Sequence, residues 1–319
     1  MMNISVCIAT YRRPDRLALL LDDLAVQRLA PFEVVVVDND AEGSAAPVVE
    51  RQRAGARPLP LRYACQPRKN IALTRNRSVA LARGEWLAFI DDDERAPPDW
   101  LHTLALAALA HRAAGVLGPV EPLLPPDAPA WIRRGRFYRW ARMATGSVVP
   151  VNRLRFGNVL LRADLLAGDA APFDARYGLT GGEDGDLLGR LVQKGARIVW
   201  CDEAVVVEPV EPARLRLRWL LLRALRGGQD HARHRLAGRF GPFPTAARIG
   251  FVLRAAAQAA AAAALALVAW PSGRHHAVYW LEKLAGNVGK LSQLLGWHYR
   301  EYGGDHGSDH GSDHGEKVA

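Results

Sequence analysis

Only three cysteines occur in 319 residues, and Cys7, Cys65 and Cys201 lie far apart. An odd, scattered set builds neither a disulfide framework nor a zinc site; the three read as small buried hydrophobes in a reducing cytosol. The chain has no G-x-G-x-x-G fingerprint after its first apolar run and no G-x-x-x-x-G-K-[ST] anywhere. Dinucleotide-binding dehydrogenases and P-loop NTPases therefore lose their main support. No secretory leader is legible either. The apolar run at residues 1–9 meets Arg12, Arg13 and Pro14 at once and reads as a strand, so the catalytic part is expected to stay inside the cell.

What is present is ordinary in bulk and uneven in detail. Hydrophobic residues make up 49 % and charged residues 24 %, which excludes wholesale disorder. The length allows one large α/β domain with an appendage, or two modest domains. The net charge of +9 is concentrated: residues 214–254 hold ten arginines against one acid, Asp230. Such a block attracts phosphate, in nucleic acid or anionic lipid, or else forms a solvated helix face.

The first ~120 residues alternate apolar runs with helical patterns. Strands are expected at 4–9, 33–38, 61–64 and 86–91, and helices at 14–27, 47–53 and 71–82, with Pro14 in a first turn. EVVVVD at 33–38 is continuously apolar before its last residue, the mark of a strand buried on both faces. This alternation predicts an α/β fold with a doubly wound, mainly parallel sheet. Further strands are expected near 158–161, 197–199 and 204–207, with a helix from the GGEDGD turn (181–186) to about 194. From 213 onward the pattern is helical. Residues 255–270 are mostly alanine and, at about 1.5 Å per residue, span about 24 Å against a ~30 Å hydrocarbon core. They read as an interfacial or packed helix rather than a span. The chain thus divides into 1–118, 119–212, a basic helical membrane-associating region at 213–302, and an Asp/His/Gly tail at 303–319 that is expected to be disordered, with His306, His310 and His314 as loose metal ligands at most.

Ligands of such sheets bind beyond the carboxyl ends of the strands, where this chain carries its unusual polar residues. Asp91, Asp92, Asp93 and Glu94 close the apolar run WLAFI. Carboxylates crowded at a buried strand end repel one another unless a cation neutralises them, and hard oxygen ligands suit Mg²⁺ or Mn²⁺. Helix capping explains Glu94 or Asp99, but not three consecutive acids on the strand itself. Asp38 ends the second strand, where an acid can accept a hydrogen bond from a base or ribose. Asp184, in the acidic turn, is a candidate general base or a helix cap.

In their order, IATYRRPD, VVVDND, RKNIALTRN, FIDDDE, GNVLLR and GGEDGDLLGRL resemble glycosyltransferase family 2 over residues 3–230. Within it they resemble the branch that builds exopolysaccharide repeat units, the succinoglycan glucosyltransferases. The resemblance implies a GT-A fold and inverting transfer of a hexose, with glucose foremost, from a UDP-sugar donor. The acceptor it implies is a polyprenyl diphosphate-linked oligosaccharide. It implies a uracil pocket lined by Ala9 and Tyr11, with Arg13, Asp38 and Arg75 at the nucleotide. Asp92 and Asp93 match the metal–diphosphate motif, Asp93 being the more direct ligand beside Asp91, and Asp184 matches the base. Two positions depart from the family. Residues 229–233 (QDHAR) do not match the Gln-x-x-Arg-Trp motif of processive synthases, which favours addition of one sugar. Glu208 stands where many relatives place a metal-binding histidine, and a carboxylate can serve Mg²⁺ or Mn²⁺ there. The resulting expectation is a peripheral enzyme on the cytoplasmic face of the membrane, held by anionic lipid and not by nucleic acid. Transfer to a protein or soluble glycan is the alternative, and nucleic-acid binding through the arginines is a third.

Overall fold

A computed structural model describes residues 2–299 of the chain; the tail at 303–319 and its histidines lie outside them. The described residues divide into two compact units. One runs to Leu123 and resumes at Trp140–Pro209; the other comprises Leu124–Arg139 and the chain from Val210 onward.

The first unit opens with β1 (Ile4–Thr10), α1 (Pro14–Leu24), β2 (Glu33–Asp38), α2 (Ala46–Arg53), β3 (Leu61–Cys65), α3 (Ile71–Leu81) and β4 (Trp86–Ile90). It continues with α4 (Trp100–Ala110), β5 (Gly115–Leu117) and β6 (Val120–Leu123). After α5 (Ala130–Gly135), which belongs to the other unit, it adds β7 (Asn158–Arg162), α6 (Glu183–Gln193), β8 (Ile198–Trp200) and β9 (Val206–Pro209). The helices have legible causes. Pro14 sits in the first turn of α1, and the Asn70 side chain caps α3 by accepting from Leu73 N.

Seven strands form one sheet in the order β3-β2-β1-β4-β7-β5-β8. All its pairs are parallel except those of β7, which runs antiparallel to β4 and β5. All six residues of β2 are buried, as expected of a central strand covered on both faces. One apolar cluster gathers Ile4, Val6 and Ile8 with Leu17, Leu21 and Leu104. A second gathers Cys7 with Phe89, Phe156, Phe173 and Leu188. The alternation along β1 thus assigns successive side chains to the two layers. β6 and β9 form a separate parallel pair, and Val207 also bridges Arg95. The last expected strand begins two residues later than its apolar pattern suggests, because the Val205 amide turns back onto the Glu203 carbonyl.

In the second unit α7 (Leu217–Leu236), α8 (Thr245–Ala269) and α9 (Arg274–Leu294) are joined by α5. Its core includes Ile132, Tyr138, Leu220 and Val278. The alanine-rich segment differs from its sequence reading: α8 is a 25-residue helix, about 37 Å long at 1.5 Å per residue. It runs through Arg254, which is exposed and so does not interrupt it. Residues Thr245–Ser272 are long and apolar enough to cross a membrane, by length and composition.

Helices α7 and α9 approach closely through glycines. A Cβ on Gly228 would lie 1.9 Å from the Gly286 carbonyl oxygen, and one on Gly289 the same distance from that of Leu225. A methyl group there has no space, so Gly228→Ala should lower the unit's stability by about 1–3 kcal/mol, the usual cost of overpacking. Gly227 has nothing within 4 Å, and Gly227→Ala should be neutral or stabilising by up to about 1 kcal/mol through helix propensity. Thermal unfolding followed by circular dichroism compares the two; equal behaviour would remove the close crossing as the cause.

Candidate active site

Because β1 and β4 are neighbours, the ends of both strands meet. Thr10 Oγ1 donates to Asp92 Oδ2 at 2.7 Å. Arg13, at the start of α1, reaches Asp93 Oδ2 at 2.9 Å and Asp92 Oδ1 at 3.4 Å. Burial, with the charge of Asp93 added, pushes the Asp92 carboxyl up to about 7, against the pull of Arg13 and Thr10. Burial also raises Glu94 well above the usual carboxylate range, helped by Asp91, Asp93 and Glu208. The bridge from Arg95 to Val207 explains that last neighbour: it brings Glu208, on β9, beside Glu94.

Asp184 lies in the first turn of α6, entered through Gly181 and Gly182 at φ +80° and +94°. Its Oδ2 accepts from Phe156 N at 3.0 Å and its Oδ1 from Gly185 N at 2.8 Å. It is close enough to Asp91 for the two charges to interact, as is Asp93. Arg75 joins the two acidic elements: Nη1 reaches Glu183 Oε1 at 2.5 Å and Nη2 reaches Asp91 Oδ1 at 3.2 Å. Its guanidinium also lies over the rings of Phe156 and Phe173, with 5.0 and 6.0 Å to the centroids.

On the β2 side, Ala9 pairs with Val37 and Thr10 with Asp38. The Asp38 carboxylate is fully buried. Its Oδ1 accepts from Asp40 N, and its Oδ2 from Ala45 N and Tyr63 Oη, at 2.8–3.1 Å. It therefore ties down the loop between β2 and α2. Tyr11 has Lys69 Nζ 4.5 Å and the Arg12 guanidinium 5.3 Å from its ring centre, and Arg12 pairs with Asp40 at 3.3 Å.

The site thus brings Asp91, Asp92, Asp93 and Glu208 toward one strand end, with Asp184 facing it and Arg13 and Arg75 bridging. Ala9, Tyr11 and Asp38 line the neighbouring strand ends. Among the described residues no three His, Cys, Asp or Glu side chains form a ready ligand cage. Asp91, Asp92 and Glu94 crowd this strand end, each carboxyl raised by burial and by its carboxylate neighbours, and a hard divalent cation would relieve that repulsion. Mg²⁺ typically takes one or two protein carboxylates and completes its shell with phosphate and water. Three participants escaped the sequence reading. Glu183 was overshadowed by Asp184, although both stand in the same acidic turn. The Phe156 amide and the close fit of Gly157 carry no local sequence signal beyond the GNVLLR motif itself.

Residues 5–145 match the family model described as Glycosyl transferase family 2. The chain is 39 % identical over 241 residues to the succinoglycan biosynthesis protein ExoM of Rhizobium meliloti (strain 1021), covering 73 % of this chain and 75 % of that protein. It is 30 % identical over 221 residues to the galactofuranosyltransferase GlfT1 of Mycobacterium tuberculosis, covering 65 % of this chain and 70 % of that one. Among solved structures, the mannosyltransferase PcManGT from Pyrobaculum calidifontis, in complex with GDP-Man and Mn²⁺, superposes with a TM-score of 0.63 at 20 % identity, over 92 % of this chain and 87 % of that one. S. aureus TarS 1–349 in complex with UDP-GlcNAc gives 0.54 at 20 % identity, over 94 % and 93 %. At these identities the structural likeness speaks for the fold, a mixed α/β GT-A architecture.

Gly157 has φ +106°, and a Cβ there would lie 2.7 Å from Glu94 Oε1. Gly157→Ala should cost about 1–3 kcal/mol in backbone strain and displace Glu94 as well. Gly168 has φ +83° with nothing within 4 Å, so Gly168→Ala isolates the backbone part. Denaturant unfolding of both variants should find Gly157→Ala the less stable; equal losses would mean that Glu94 yields without cost.

Proposed function

The chain belongs to glycosyltransferase family 2, and from that premise we propose that it moves a single hexose, with glucose the first candidate, from a UDP-sugar to a lipid-linked oligosaccharide with inversion. That it is a glycosyltransferase, related to an exopolysaccharide biosynthesis protein, follows from the family and its relatives. The donor, the polyprenyl diphosphate acceptor and the stereochemistry are our reading.

The observation that carries it is the setting of Asp184. Two amide donors fix its carboxylate at the start of α6, close to the acids after β4. A base held in this way can take the proton of an acceptor hydroxyl. The freed oxygen attacks the anomeric carbon from the face opposite the nucleotide, the bond to the diphosphate breaks, and the configuration inverts. Asp93 and Asp91, with Glu208 beside them, would hold Mg²⁺ or Mn²⁺, which supplies positive charge to the departing diphosphate. Arg13 keeps Asp92 and Asp93 together at the same strand end. Ala9 and Tyr11 border the uracil pocket, and Asp38 shapes it by fixing its loop. Arg75 couples the nucleotide side to the base helix.

Asp184→Asn keeps the shape and removes the proton acceptor, so turnover should fall by about 10²–10⁴-fold with UDP-sugar affinity little changed. Asp93→Ala and EDTA should each abolish transfer while the protein remains folded. Release of UDP from a panel of nucleotide sugars reads all three and identifies the donor. Full activity in EDTA would sink the metal assignment, and retained turnover with lost donor binding in Asp184→Asn would leave that residue a helix cap.

For location we propose the inner membrane face. The exposed residues Leu253, Leu267, Val268 and Trp270 on or just after α8, with the arginines of 214–254, support a surface that meets anionic lipid at about 1 kcal/mol per basic residue. Binding to phosphatidylserine vesicles should weaken steeply between about 0.05 and 0.5 M salt as screening shortens to a few Å. Salt-resistant binding that only detergent reverses would instead make Thr245–Ser272 a span.

A further inference from the structure

The chain segment that anchors Asp184 has a second feature, which the transfer chemistry above does not use. Trp140 keeps 54 % of its surface exposed. The Arg155 guanidinium carbon lies 4.4 Å from its ring centre and 5.8 Å from that of Trp200. Arg155 therefore lies over two indoles, closer to the outer one than to the buried Trp200. The following residue, Phe156, gives its amide to Asp184, and the next, Gly157, lies against Glu94. The pair is thus one residue along the chain from the group that orients the base.

The support behind it is rigid. Trp200 Nε1 donates to Asp202 Oδ1 at 2.9 Å, and Arg142 Nε donates to the same oxygen at 2.6 Å. Arg142 also pairs with Glu121 at 2.9 Å. The backbone after Trp140 is laced onto β8: Gly146 N donates to Trp200 O at 2.8 Å and Trp200 N to Ser147 O at 2.9 Å. An isolated exposed apolar residue is common on protein surfaces and needs no account. An exposed indole with a guanidinium over it, on a fixed segment beside the base, is a different object.

Its chemistry fits one class of ligand. The face of an indole is electron-rich, and the axial C–H bonds of a pyranose ring present a weakly positive, flat apolar surface. Arginine adds a planar fork of donors suited to hydroxyl and phosphate oxygens around such a ring. We infer that Trp140 and Arg155 form the subsite for a sugar ring of the acceptor glycan, Trp140 taking its C–H face and Arg155 its oxygens. This rests on the glycosyl-transfer reading of Asp184 and adds where the acceptor lies and which residues select it.

Saturation-transfer NMR on the full chain, with UDP present and methyl β-cellobioside and methyl β-lactoside as probes, tests it. In the wild type the ring protons of at least one probe should receive saturation. Trp140→Ala should reduce that signal at least fivefold, Arg155→Leu should reduce it too, and Trp140→Phe should keep most of it. UDP affinity, measured by calorimetry on the same samples, should change less than twofold in every variant. No signal from either glycoside in the wild type, or a signal that survives in Trp140→Ala, overturns the assignment. So does a matching loss of UDP affinity in Trp140→Ala, which would make the pair a support of the fold. A wild type that binds no UDP overturns the UDP-donor part of the proposed function instead, whatever the glycoside signal, so the two failures are distinguishable.

Discussion

Crowded negative charge at the tip of β4 governs the site. Two carboxylates 4 Å apart repel by about 4 kcal/mol at an effective dielectric of ~20, and here Asp92, Asp93 and Glu94 are all buried. The fold answers with two arginines from different elements. Arg13 of the β1–α1 turn spans Asp92 and Asp93, and Arg75 of α3 spans Asp91 and Glu183. These pairings also dictate the neighbourhood. α1 has to start beside β4, α3, which packs on β1 and β2, has to turn Arg75 toward the end of β4, and α6 has to present Glu183 inward, which leaves the adjacent Asp184 to the Phe156 amide.

Removing a partner from such a cluster exposes the charges it balanced, so the arginines and acids form one electrostatic unit. A ligand that brings a divalent cation changes the balance for every member at once. That coupling is a reason for the raised proton affinities of Asp92 and Glu94 to occur where we propose the nucleotide binds.

Much of this was legible in the sequence, for identifiable reasons. EVVVVD and WLAFI read as buried strands because nothing in them serves a solvated face, and the acids after WLAFI read as a site because no packing rule explains them. The antiparallel course of β7 was not legible, since NVLLR looks the same in either direction. Nor was the Arg75–Glu183 pair, whose members lie 108 positions apart. That the Asp38 carboxylate also ties down its own loop, accepting from Asp40, Ala45 and Tyr63, was not legible; a loop's own demand for acceptors leaves no pattern in the residues around it. Arg254 made the apolar segment look short, because sequence hydropathy counts a charge that the helix simply turns outward.

The reversed strand has a consequence for how such a protein can diversify. β7 enters the sheet at its active end, with Asn158 opposite Ile90, while Ser147 and Val149 are already fastened to β8. Residues 150–157 are therefore a short span clamped at both ends by the sheet, and they run past Asp184 without contributing a strand to it. Sequence changes at 150–154, short of Phe156 and Gly157 that hold Asp184 and abut Glu94, alter what lies beside the first turn of α6 while leaving the registers of β4, β7 and β8 intact. The fold in this way separates a part bound by the charge balance at β4, to which Phe156 and Gly157 belong, from a short exchangeable stretch at 150–154 whose replacement need not disturb it.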